Sequence, residues 1–128
     1  EVGMAYKNLS MVRGDTQVYN LCFKDSNGNP FNIKNWVVKF TIKKHYGLLD
    51  SAASVQKTIT TFPDTTGGTC GRAQIVLYPV DTVNLEPGEY VYDIQVTRDQ
   101  NDTYTIMRGK MEIEYDVTRT PGTAGTMI

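Results

Sequence analysis

Apolar and polar residues alternate along most of this chain with a period of two. In residues 36–43, Trp36, Val38, Phe40 and Ile42 fall on one side and Val37, Lys39, Thr41 and Lys43 on the other. Successive side chains of a β-strand point to opposite faces, so this pattern predicts a strand buried on one face only. Residues 89–97 repeat it, with Tyr90, Tyr92, Ile94 and Val96 inward and Asp93, Gln95 and Thr97 outward. Residues 110–118 do so again, setting Met111, Ile113, Tyr115 and Val117 against Glu112, Glu114 and Asp116. A helix needs apolar spacings of three and four, which none of these stretches has. Weaker strands are expected at 16–24 (Tyr19, Leu21 and Phe23 inward), 55–62 (Val55 and Ile59) and 72–78 (Ala73, Ile75 and Leu77). Residues 5–12 read as an edge strand.

Turn residues punctuate these runs. Asn27-Gly28, within residues 25–30, is a hairpin signal because both residues tolerate positive φ. Residues 99–102 make a polar hairpin tip, and 63–71 and 86–88 carry the Gly and Pro that turns require. Val80 to Leu85, after Pro79, is expected to form one helical turn. About seven strands with one apolar face each predict a single all-β domain, an immunoglobulin-like antiparallel sandwich over residues 12–118. Residues 1–11 are expected to be an arm or edge strand. Residues 119–128, aperiodic and broken by Pro121, Gly122 and Gly125, are expected to be a flexible C-terminal arm.

Composition narrows the function classes. At 128 residues the chain is long enough to bury roughly two-thirds of its unfolded surface without a metal or disulfide. Its 13 basic residues are scattered among 14 acidic ones, which argues against a nucleic-acid partner. No run approaches the ~20 apolar residues of a membrane helix, and the first ten residues lack the apolar stretch of a signal peptide. Cys22 lies mid-strand and Cys70 in a Gly-rich loop, whereas an antibody-type pair sits on two facing core strands. Both are therefore expected to be free thiols of an intracellularly made protein, with a strand-to-loop disulfide as the alternative.

Catalysis should leave a constellation of residues, and none is visible. His45 is the lone histidine, so neither a zinc site nor a triad can be built around it. The glycines at 67, 68 and 71 are not followed by Lys-Ser or Lys-Thr, and no serine stands in a nucleophile elbow. Glu112 and Glu114 are about 7 Å apart along a strand, but on a solvent face where nothing raises a pKa. Asp99, Asn101 and Asp102 lack the glycine and distal glutamate of a calcium hand. No catalytic residue, cofactor or metal is expected. Arg13-Gly14-Asp15, a triplet known from integrin ligands, stands directly before a core strand and reads as the turn that opens it.

That stretch also carries a family likeness. Gly14-Asp15 before the first core strand, the strand Leu21 to Phe23, the Asp25-x-x-Gly28-x-Pro30 turn, the step at Ile33 and the strand Val38 to Lys43 follow one another as in the N-terminal domain of bacteriophage baseplate upper proteins of the BppU type. Gly71 before a strand and the turn Leu85-x-Pro87-Gly88-x-Tyr90 extend the match, so that residues 12–118 resemble that domain and related small phage virion proteins. The resemblance implies an immunoglobulin-like sandwich serving as a virion structural module, assembled in the host bacterial cytoplasm. The partners expected are capsid, tail or baseplate subunits and further copies of the chain. Contacts are expected through Val2, Met4 and Tyr6 at the N-terminal end and Arg119, Met127 and Ile128 at the other. The alternative is a glycan- or receptor-binding module of a phage tail, served by the eight tyrosines.

Overall fold

Eight strands arise from the alternating segments in a computed structural model that describes residues 4–63, 70–98 and 102–118. They are β1 (Ala5–Tyr6), β2 (Leu9–Val12), β3 (Gln17–Phe23), β4 (Val37–Lys43), β5 (Val55–Ile59), β6 (Gly71–Leu77), β7 (Gly88–Arg98) and β8 (Asp102–Glu114). A helical turn α1 (Pro79–Thr82) and a 3-10 turn at Asp50–Ala52 complete the set. Strands β5, β4, β7 and β8 pair antiparallel in that order, and β1 and β2 both line the outer edge of β8. The opposing sheet has two strands, β3 and β6. This is the strand order of a variable-type immunoglobulin sandwich, with β4, β7 and β8 in the places of C, F and G, β5 as C′, and β3 and β6 as B and E.

The predicted inward residues build the core. Val38, Phe40, Ile42, Tyr90, Tyr92, Ile94, Val96, Met111 and Ile113 from the large sheet are buried, as are Phe23, Ala73, Ile75 and Leu77 from the small one. The two layers meet through rings: Tyr19 lies 6.1 Å from Phe40, which lies 5.8 Å from Tyr92. Trp36, at the entry to β4, takes Phe23 edge-on at 5.4 Å. At the corner into β7 the Tyr90 hydroxyl donates to the Glu86 carbonyl at 2.7 Å, the tyrosine corner of immunoglobulin-like domains.

Three expectations are corrected. The cysteines are not free: Cys22 and Cys70 are joined by a disulfide, their Cα atoms 5.4 Å apart. The bond links neighbours within one sheet rather than facing strands. Phe23 pairs with Gly71, so Cys70, one residue before β6, stands diagonal to Cys22. The last alternation also stops early, since Tyr115 is 77% and Val117 102% exposed. Strand β2 ends at Val12 and β8 at Glu114, so among the described residues no strand pairing presses Tyr115 and Val117 against the core. The sandwich is not wholly antiparallel, because β1 and β2 run parallel to β8. The Asn27-Gly28 turn forms, with Asp25 Oδ1 accepting from the amides of Asn27 and Asn29 at 2.9 Å. It closes a short hairpin, Lys24 bridging Pro30 antiparallel and the Phe31 amide donating to the Phe23 carbonyl at 3.1 Å, and the chain then crosses to the other sheet. The tips at 64–69 and 99–101, and the expected contact residues Val2, Arg119, Met127 and Ile128, lie outside the described residues.

The disulfide spans 48 residues of sequence and ties together a sheet that has two strands among the described residues. Closing so long a loop stabilises by about 2–4 kcal/mol through the unfolded state. The double variant Cys22→Ser/Cys70→Ser, or added reductant, is expected to lower Tm by roughly 10 °C. An unchanged melting curve contradicts this.

Candidate interaction surfaces

The Arg13-Gly14-Asp15 corner is built into the domain. Arg13 Nε bonds Asp116 Oδ1 at 2.8 Å and Nη1 bonds the Leu85 carbonyl at 3.1 Å. Gly14 takes φ +81°, and its amide donates to Oγ1 of the fully buried Thr82 at 2.8 Å. The Asp15 amide closes the turn on Val12 O. The guanidinium thus clasps the exit of β2, the residues after β8 and the loop before β7, while the Asp15 side chain alone faces solvent. This geometry is a strand-opening turn, not a ligand tip.

The N-terminal segment is stitched along β8. Gly109 leaves room for it: a Cβ there would run into the Lys7 carbonyl. From the opposite strand the Tyr92 hydroxyl passes under Gly109 and donates to that same carbonyl at 2.5 Å. Burial pushes the Tyr92 phenol up to about 12. Asn8 Oδ1 accepts from the Lys110 amide at 3.1 Å. Of the expected contact residues, Met4 and Tyr6 are exposed here, Tyr6 with its ring 5.2 Å beneath the Arg108 guanidinium.

Strand edges elsewhere are open. Among the described residues β3 and β6 pair only with each other, and β5 pairs only with β4. Each leaves a row of backbone groups without a strand partner, the kind of edge that accepts another chain.

The outer face of the large sheet holds a groove of about 230 Å³. Thr41, Asp93 and Arg108 stand in one row across β4, β7 and β8, with Lys39, Gln95 and Thr105 in the next. One wall is the loop after β4. Lys43 Nζ donates to the Leu48 carbonyl at 2.7 Å and pairs with Asp50 at 2.9 Å, which draws Tyr46 and Gly47 over the sheet. Gln56 Nε2 donates to Thr41 Oγ1 at 3.1 Å. Hydrogen bonds from Lys43 and then Gln56 hold the Asp50 carboxyl below the usual range. Asp93 is different, because no hydrogen bond or ion pair reaches its carboxylate among the described residues. Partial burial pushes its carboxyl up, Asp50 adds to this, and Lys43 and Arg108 pull the other way. Alternation placed Asp93, Lys39 and Lys43 on the outer face. It carries no sign of the concavity, which comes from a loop with no period of its own. Among the described residues no three His, Cys, Asp or Glu side chains are grouped to hold a metal, and no helix is long and apolar enough to cross a membrane.

Two tests follow from these surfaces. Arg13→Ala is expected to cost about 1–3 kcal/mol in urea unfolding, since it leaves the Asp116 carboxylate and the Leu85 carbonyl without this donor, whereas Asp15→Ala stays within about 0.5 kcal/mol. Equal effects from the two variants contradict the clasp. For Asp93, a folded pKa above the unfolded one means stability that is full at low pH and falls as the carboxylate ionises. Asp93→Asn is therefore expected to raise Tm at pH 7 by about one degree, solvent screening keeping the gain small, with no gain at pH 3. Thermal melts at both pH values check it, and a loss of stability at pH 7 contradicts it.

No protein-family model matches this sequence, and no curated protein matches it significantly. Solved structures of similar shape include the PmoD soluble domain from Methylocystis sp. ATCC 49242 (Rockwell), at 9% identity and TM-score 0.47, covering 81% of this chain and 76% of that one. A voltage-gated sodium channel β subunit studied for multimeric cell-adhesive interactions aligns at 11% identity and TM-score 0.43, over 92% of this chain and 98% of its own. The extracellular domain of the sodium channel β4 subunit, seen as parallel homodimers, gives 11% identity and TM-score 0.38, over 91% and 98%. Strand order and the tyrosine corner by themselves mark this chain as immunoglobulin-like.

Proposed function

We propose that this protein is a non-enzymatic structural subunit of a bacteriophage virion, present in many copies and joined to capsid, tail or baseplate proteins through its strand edges and terminal segments. The observation that carries this reading is the division of labour in the domain. Its buried apolar residues close the sandwich, and what the described residues offer outward includes unpaired strand edge at β3, β6 and β5 and exposed apolar side chains, Met4 and Tyr6 among them. Its turn pattern, which resembles that of baseplate upper proteins, supports the same reading. His45, the single histidine, sits exposed on a loop. Repetition on a symmetric particle lets weak single contacts add through avidity.

The disulfide fits this setting under one condition. A thiol pair assembled in a reducing cytoplasm stays reduced, so the Cys22–Cys70 bond closes once the particle meets an oxidising medium.

Truncation at Thr118 tests the proposal. Removing residues 119–128 takes away Arg119, Met127 and Ile128, and leaves β1 to β8 untouched. Incorporation into purified particles is expected to fall at least tenfold while the soluble domain keeps its melting temperature. Full incorporation of the folded, truncated chain overturns the role given to this end.

A further inference from the structure

We infer that the groove on the outer face of β4, β7 and β8 is a saccharide site that takes a sugar unit bearing one carboxylate. This inference stands apart from the virion reading, since it concerns a different surface and different residues.

The groove is preorganised. Its wall is fixed by the two bonds from Lys43 to Leu48 and Asp50, and its floor is a rigid sheet, so a ligand orders little on entry. Its volume, about 230 Å³, lies below the ~300–1,000 Å³ of pockets for drug-sized molecules and suits one ring of a longer polymer. The lining is mostly side chains that make and accept hydrogen bonds: Lys39, Thr41, Asp93, Gln95, Thr105 and Arg108. An apolar ligand would find no matching floor. Tyr46, 65% exposed on the wall, offers a flat ring face to the C–H side of a sugar.

The charges choose among polar ligands. Asp50 is satisfied by Lys43, which leaves Asp93, Lys39 and Arg108. Among the described residues Asp93 is an acceptor without a donor, partly withdrawn from water in the row between Thr41 and Arg108, and such a carboxylate takes hydrogen bonds from neighbouring hydroxyls of a sugar. Among the described residues, the Arg108 guanidinium bonds the Tyr6 hydroxyl at 3.4 Å and stacks on its ring, and Lys39 forms no ion pair. Their remaining donors match one carboxylate, Arg108 in bidentate fashion. A polyphosphate meets repulsion from Asp93 and Asp50 together, and a neutral sugar leaves both cations unmatched.

The test is a glycan array carrying uronic- and sialic-acid saccharides beside neutral ones, probed with the full chain displayed on streptavidin so that weak single-site binding registers. Retention on acidic saccharides is expected, reduced about tenfold or more by Asp93→Asn and by Arg108→Gln, each confirmed as folded by its melting curve. Retention on no acidic saccharide overturns the inference, as does equal retention on neutral ones. So does unchanged binding by either folded variant. Failure of particle incorporation in the truncation above leaves these results unmoved, so the two readings fail separately.

Discussion

The contact between the inner faces of β4 and β7 on one side and β3 and β6 on the other holds the rest of the molecule in place. Phe40, at the centre of β4, touches Tyr19 across the layers and Tyr92 within its own sheet. Each fully buried side chain of this kind stabilises by about 1.5–3 kcal/mol relative to exposure. Once those faces are committed to each other, the positions between them must face water. The outer face of the large sheet, with its groove, and the open edges of β3, β5 and β6 are the consequence.

Polar bonds then refine what burial sets up, and they cluster where strands end. Tyr90 closes the corner into β7, Arg13 closes the junction of three segments after β2 and β8, and Tyr92 reaches through the gap at Gly109 to hold Lys7. The β8 edge is covered by the chain's own first strands, while the opposite sheet keeps both of its edges open among the described residues. That asymmetry is what turns a fold into a proposal about joining.

Much of this was legible in the sequence because period-two burial is a local signal. The inward residues of β4, β7 and β6 and the helical turn after Pro79 follow from alternation and turn chemistry alone. What alternation cannot carry is register between distant strands. Cys22 and Cys70 meet because of the β3–β6 register, and Asp93 stands beside Arg108 because of the β7–β8 register. Nor does it show where alternation loses its partner, so Tyr115 and Val117 read as core although β2 has already ended. The groove depends on a loop pinned by Lys43, a contact that no periodicity encodes.

Counting copies in the particle tests the central claim most directly. Quantitative mass spectrometry of purified virions, scaled to the major capsid protein, is predicted to find this chain at a fixed, reproducible ratio that matches a symmetric arrangement. Its absence from washed particles, or a trace amount that varies between preparations, would contradict the account.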